Sequence, residues 1–177
     1  MEEIVNRVQR SSLITLDLED YYTPGERIFF DLKPFLFQEL VLKEKDFRAQ
    51  LKSIDWSNYQ NKHVAIGCTA DAIIPTWAYM LLATYLNPMA KTMIFGTLAD
   101  LEEELFRVEI GKIDWEKFKG QRIVVKGCSK IDVPKSAYVQ VVSKLQNLAA
   151  SIMFGEACST VPLFKQGQKP FGGGLEN

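Results

Sequence analysis

Three cysteines, Cys68, Cys128 and Cys158, are the residues in this chain best suited to chemistry. Each comes just after a short apolar run: VAI at 64–66, IVV at 123–125 and IMF at 152–154. Unbroken runs of this kind read as strands buried on both faces of a parallel sheet. Each cysteine is then expected near a strand's carboxyl end, where open α/β sheets bind ligands beside helix N-termini. Adjacent strands lie ~4.8 Å apart, so thiols distant in sequence can meet across one sheet edge, within about 10 Å. Thiolates are nucleophiles and soft metal ligands, and a nearby helix N-terminus favours the ionised form. The expected site is Cys68, Cys128 and Cys158, with Asp71, Asp132 and Glu156 in the following loops as oxygen ligands. Ser129 and Ser159, each next to a cysteine, would help form backbone nests for an anion. Iron, zinc or an iron–sulfur cluster are the groups such donors would suit.

A packing role stands beside this reading. A free cysteine commonly behaves as a small buried hydrophobe, and loop carboxylates are commonly solvated. The spacings are long, 60 residues from Cys68 to Cys128 and 30 from Cys128 to Cys158, and no CxxC pair occurs. His63, the single histidine, begins the strand that leads to Cys68, so a strand's length separates it from the thiols. A Cys–His nucleophile pair is therefore not expected. The triple glycine at 172–174 is not followed by a helical pattern and makes no phosphate-binding loop.

The elements that must position these residues are written twice. IDWSNYQNKHVAIGC at 54–68 is echoed by IDWEKFKGQRIVVKGC at 113–128. A shift of 59 positions superposes Phe47 on Phe106, Trp56 on Trp115, Pro75 on Pro134, Tyr79 on Tyr138, Leu86 on Leu145, and Phe95-Gly96 on Phe154-Gly155. Internal repetition of this length implies one supersecondary unit per copy. Pro75 and Pro134 suit a first helical turn. Tyr138, Val141, Val142, Leu145 and Leu148 follow at helical spacing, and Leu101, Leu105 and Val108 mark a second amphipathic helix. Each copy thus reads helix, strand, helix, strand, with repeats at 44–96 and 103–155. The fold class is α/β: a layered, mostly parallel sheet flanked by helices with right-handed crossovers. Trp56 and Trp115 fall in the helix-to-strand linkers and read as anchors. Nearer the N-terminus, 13–18 and 27–30 read as strands around a turn at Thr23-Pro24-Gly25, and 39–42 as a further strand. Residues 1–165 read as a single domain and 166–177, QGQKPFGGGLEN, as a flexible tail. The stretch TWAYMLLATYL at 76–86 is apolar almost all round, which suits either central burial or a homodimer contact.

Composition bounds the partners. The 177 residues are 47% apolar, enough for a sizeable core, and the formal net charge of −1 provides no basic field for nucleic acid. No apolar run approaches the ~18 residues of a membrane span. The sequence MEEIVNRVQRSS has no apolar stretch of the secretory kind, and an odd number of cysteines suits a reducing compartment. The expectation is a soluble cytoplasmic protein that engages neither nucleic acid nor membrane.

The segments MEEIVNRV, LITLDLEDYY, VLKEKDFR, ADAIIPTWAYMLL, KGCS and GEACSTVPL resemble a bacterial domain-of-unknown-function family, number twenty-four-eighty, over residues 1 to about 165. The resemblance implies no activity and carries over no catalytic residues. It implies a gene neighbourhood of sulfur-mobilisation iron–sulfur assembly, and with it iron–sulfur assembly proteins as partners. The expected function is a binding or scaffold module, with a role as an accessory factor in iron–sulfur or sulfur handling. The alternative is an enzyme acting on a small molecule in the crevice at the strands' carboxyl ends.

Overall fold

The computed structural model describes residues 13–127, 130–156 and 158–167. These residues form a mixed α/β structure with four α-helices and two mostly parallel sheets. The chain divides into two compact units, Met1–Thr23 with Leu105–Asn177, and Pro24–Glu104. Each unit has its own sheet.

The continuous unit, Pro24–Glu104, alternates strand and helix: β2 (Arg27–Asp31), α1 (Glu44–Ser53), β3 (His63–Gly67), α2 (Thr76–Leu86) and β4 (Thr92–Phe95). The three strands are parallel, in the order β2-β3-β4. All five residues of β3 are buried, as the run VAI requires of a central strand. Phe47 and Leu51, one helical turn apart, fix the buried face of α1 against Phe30, Val64 and Ile66. The first turn of α2 follows Pro75, and Ala78, Leu82 and Leu86 form its buried stripe.

The discontinuous unit holds β1 (Leu13–Asp17), β5 (Arg122–Lys126), α4 (Lys135–Leu145), β6 (Ser151–Glu156) and β7 (Ser159–Lys165). Its sheet has the order β1-β5-β6-β7, with only β7 antiparallel. Helix α3 (Leu98–Gly111) carries the chain across the boundary between the units. The core here gathers Leu16, Leu18, Phe106, Ile110, Ile123, Val125, Val141, Leu145 and Ile152. Within α3 the buried stripe includes Leu101 and Leu105 as the spacing predicts, but Val108 is exposed and Phe106 and Ile110 are buried.

Several expectations change at this level. The apolar runs supply strands to two sheets, not to a single one. The strands at 13–17 and 27–31 do not pair around the Thr23-Pro24-Gly25 turn. Instead β1 lies parallel to β5 and β2 parallel to β3. Local sequence offers a hairpin, but two parallel partners elsewhere bury both apolar runs more completely. Residues 39–42 do not form a named strand. Phe37 and Val41 make one antiparallel bridge over a turn in which Gln38 and Glu39 take positive φ values of 53° and 59°. Helix α2 is not buried all round, because Met80 and Thr84 are exposed beside its buried stripe.

Both Asp-Trp linkers form short 3-10 turns, Trp56–Tyr59 and Trp115–Phe118. The side chains of Asp55 and Asp114 accept hydrogen bonds from the amides of Ser57 and Glu116 and so cap those turns. The Trp56 indole N–H donates to the Leu51 carbonyl at 3.0 Å, and its ring stacks on Tyr85 at 5.0 Å. The Leu51 carbonyl, which also accepts the Ile54 amide at 3.4 Å, thus ties the Trp56 ring to the last turn of α1.

Leu82→Ala empties a fully buried site and should cost about 2–5 kcal/mol. Met80→Ala, on the exposed face of the same helix, should change stability by less than about 0.5 kcal/mol. Urea unfolding of both variants measures the contrast, and equal losses would contradict the buried stripe.

Candidate functional site

In each unit the strands' carboxyl ends bring together residues from several elements. On the continuous unit, β2 ends at Asp31 and β3 at Gly67, followed by Cys68 and Thr69; β4 is followed by Gly96 and Thr97. Asp31 accepts hydrogen bonds from the Thr69 amide at 2.9 Å, the Thr69 hydroxyl and the Lys33 amide at 2.9 Å. Burial works to raise this carboxyl, but the bonds from Thr69 and Lys33 and the nearby Lys33 charge outweigh it. The Asp31 pKa is held below its ordinary value. Asp31 thereby ties the loop after β3 to the end of β2.

Gly67 is required by a close approach. A Cβ there would lie 2.8 Å from the Phe29 ring and 3.3 Å from the Gly96 carbonyl. Gly96 takes φ of +142°, and a Cβ on it would strike the Asp100 carboxylate. The freed space admits a reciprocal cap at the start of α3: the Thr97 amide donates to Asp100 Oδ2 at 2.7 Å, and the Asp100 amide donates to Thr97 Oγ1 at 3.3 Å. The Thr97 bonds hold the Asp100 carboxyl below its ordinary pKa.

Cys68 is half-buried, packed against the core of this unit. Burial raises the Tyr79 phenol, and Cys68 raises it further. Tyr79 also meets Phe95 edge-on at 5.1 Å. The other unit has a matching contact, Tyr138 against Phe154 at 5.8 Å, while a Cβ on Gly127 would lie 2.6 Å from the Tyr138 hydroxyl. Tyr138 thus lies over Gly127, just past the end of β5.

On the discontinuous unit, β1, β5 and β6 end at Asp17, Lys126 and Glu156. Lys126 Nζ lies 3.0 Å from Asp17 Oδ2 and 3.9 Å from Glu156 Oε1. The Asp17 hydrogen bond and charge, with the Glu156 charge, raise the Lys126 pKa. Asp17 also accepts the Glu19 amide at 3.1 Å, and Glu19 accepts the Lys130 amide at 3.0 Å. These carboxylates hold backbone and charge in place, as Asp31 and Asp100 do.

The sequence-derived site residues divide accordingly. Cys68 follows β3 of the three-stranded sheet; Cys158 is exposed in the turn between β6 and β7 of the four-stranded sheet. Cys128 and Ser129 lie outside the described residues. Asp71 and Asp132 are exposed in loops; Glu156 is exposed at the end of β6; Ser159 is exposed opposite Glu156 in the hairpin. His63 is fully buried at the amino end of β3, with Nε2 3.2 Å from the Pro24 carbonyl oxygen. Among the described residues, no group of three His, Cys, Asp or Glu side chains is placed to hold a metal ion. The described donors thus do not assemble a centre for iron, zinc or a cluster. The carboxylate caps Asp17, Asp31 and Asp100 are not distinguished by sequence from other surface acids. Asp17 and Asp31 each close a strand two residues before the residue whose amide they accept, whereas Asp100 lies in α3, three residues after Thr97.

These features describe a two-sheet α/β protein whose strand-end carboxylates are engaged in structure. Residues 2–166 match the family described as "Protein of unknown function (DUF2480)", and the chain belongs to that family. No curated protein and no solved structure matches the chain. Among the described residues, no helix is long and apolar enough to cross a membrane.

The depressed Asp31 pKa sets a pH dependence. A carboxyl lowered in the folded state contributes stability above its unfolded pKa of ~3.9, and that contribution fades as pH falls through the folded value. Asp31→Ala should cost about 1–2 kcal/mol at pH 7. The gap to the parent should narrow in urea titrations below about pH 4. A gap independent of pH would mean that the carboxylate charge does not matter.

Proposed function

We propose that this chain is a non-catalytic binding or scaffold module, built by duplication of a helix–strand–helix–strand unit at 44–96 and 103–155. The duplication is supported by element positions that recur at the 59-residue shift: Trp56 with Trp115, the starts of α2 and α4 at Thr76 and Lys135, and the starts of β4 and β6 at Thr92 and Ser151. One observation carries the binding reading. At the edges where α/β enzymes place their chemistry, Asp17, Asp31 and Asp100 are engaged in caps and ion pairs. The large side chains left exposed nearby are apolar and occupy matching positions, Met80 and Phe95 in one copy and Val139 and Phe154 in the other. Exposed apolar positions on well-packed elements suit protein partners.

A second reading keeps the cysteines: an accessory factor in iron–sulfur or sulfur handling, acting through Cys68, Cys128 and Cys158 with Asp71, Asp132, Glu156, Ser129 and Ser159 around them. The exposure of Cys158 and the partial exposure of Cys68 favour it. Sulfur-assembly proteins would then be its partners, in a reducing, cytoplasmic setting. An enzyme working on a small molecule at the strand ends would need polar groups there that are not already engaged, and Asp31 and Asp100 argue against that.

Two measurements separate these readings. Iron, zinc and acid-labile sulfide are determined on protein purified without oxygen, and native thiols are labelled with and without ferrous iron or zinc. The scaffold reading expects metal well below one equivalent per chain and independent labelling of Cys68 and Cys158. Stoichiometric metal with joint protection of two thiols would establish the sulfur-handling reading instead. A photo-crosslinking residue at position 95 or 154 should trap a defined protein partner, while one at the exposed Asn58 should not.

A further inference from the structure

We infer that the free edge of β4 is a self-association surface, on which the β4 strand of a second copy of this chain pairs antiparallel to give a continuous six-stranded sheet. The inference rests on the scaffold reading and names the partner of one of its surfaces.

The two copies of the repeat differ at one edge. In the discontinuous unit β6 has strands on both sides, β5 parallel and β7 antiparallel. Ile152 and Phe154 of β6 face Phe164 and Val161 of β7. At the 59-residue shift, Ile152 and Phe154 correspond to Met93 and Phe95 of β4. There the chain turns into α3, so no strand equivalent to β7 follows. Among the described residues β4 pairs with β3 alone.

Strand geometry tells which backbone groups remain. The Gly96 amide donates to the Ile66 carbonyl at 3.0 Å, and Ile94 is the register partner of Ala65. Backbone groups alternate along a strand, so those of Gly96 and Ile94 turn toward β3 and those of Met93 and Phe95 turn away. Phe95 is also 72% exposed, the highest value among the aromatic side chains found exposed. An open edge ending in an exposed aromatic is a template for another strand.

The edge complements itself. A two-fold axis at Ile94 sets Met93 opposite Phe95 of the second copy, and Phe95 opposite its Met93, with four N–H to carbonyl bonds in hydrogen-bonded register. Ile94 meets its own copy on the other face. Met80, 66% exposed and one residue from the Tyr79 ring that contacts Phe95, extends the apolar margin.

The test is sedimentation equilibrium of the full chain, with three variants. The parent should sediment at twice the chain mass in the micromolar range. Met93→Pro removes an outward N–H without touching the bonds to β3, and Phe95→Lys sets a charge on the edge. Each should raise the dimer dissociation constant by at least about tenfold with the circular dichroism spectrum retained. Thr84→Lys, on the exposed face of α2, should leave it unchanged. A parent that stays monomeric to about 200 μM overturns the inference, as does a dimer indifferent to both β4 variants. Exchange-protected Met93 and Phe95 amides in a monomer would also overturn it, because the chain would be covering the edge itself. Self-association can fail while crosslinks from position 95 to another protein persist; the scaffold reading then stands. Loss of both removes both.

Discussion

Each sheet is organised around one strand whose middle residues are buried on both faces. β3 lies between β2 and β4, and β5 between β1 and β6, all parallel. The backbone of a parallel central strand is fully paired only when both neighbours are present, and its side chains are apolar on both faces. Val64, Ala65, Ile66, Ile123, Val124 and Val125 are all buried. That requirement forces β1, at the start of the chain, to reach a partner more than a hundred residues away, and it makes Pro24–Glu104 an insertion within the other unit. The crossovers through α1, α2 and α4 follow, because parallel neighbours cannot be joined by a tight turn.

The carboxyl ends of such strands expose unpaired backbone groups beside helix N-termini. In many α/β proteins a ligand takes these positions. Here aspartates take them. Asp31 holds the amides of Lys33 and Thr69, Asp17 that of Glu19, and Asp100 that of Thr97. A carboxylate already accepting two or three donors is stabilised in its charged form and poorly suited to move a proton. The same economy explains the tyrosines. Tyr138 lies against Gly127, just past β5, and the ring contacts of Tyr79 with Phe95 and of Tyr138 with Phe154 fix the ends of β4 and β6.

β4 and β6, which correspond at the 59-residue shift, differ at their outer edges. β6 turns back through Cys158 into β7, which covers its second edge; β4 leads into α3 through Gly96 and the Thr97–Asp100 cap. Phe154 is accordingly 40% exposed against 72% for Phe95. Among the described residues β4 has no strand on its second edge, and it carries neither proline nor charge to blunt that edge.

Much of this was written in the sequence. Periodicity and β-branched runs located β3, β5 and all four helices, because burial on both faces leaves a continuous apolar run and burial on one leaves a helical stripe. The 59-residue echo placed Trp56 and Trp115 at helix-to-strand junctions, where the Trp56 indole N–H bonds a carbonyl in the last turn of α1. What sequence could not decide was partnership. Nothing in LITLD or RIFFD says that these strands pair with residues 122–126 and 63–67 rather than with each other, since apolar strands close in sequence fit a hairpin as well. For the same reason Cys68 and Cys158, alike in following apolar strands, were drawn to one edge, whereas the fold gives them to separate sheets. The capping roles of Asp17, Asp31 and Asp100 were equally hidden, because a carboxylate's function depends on which amides the tertiary structure turns toward it.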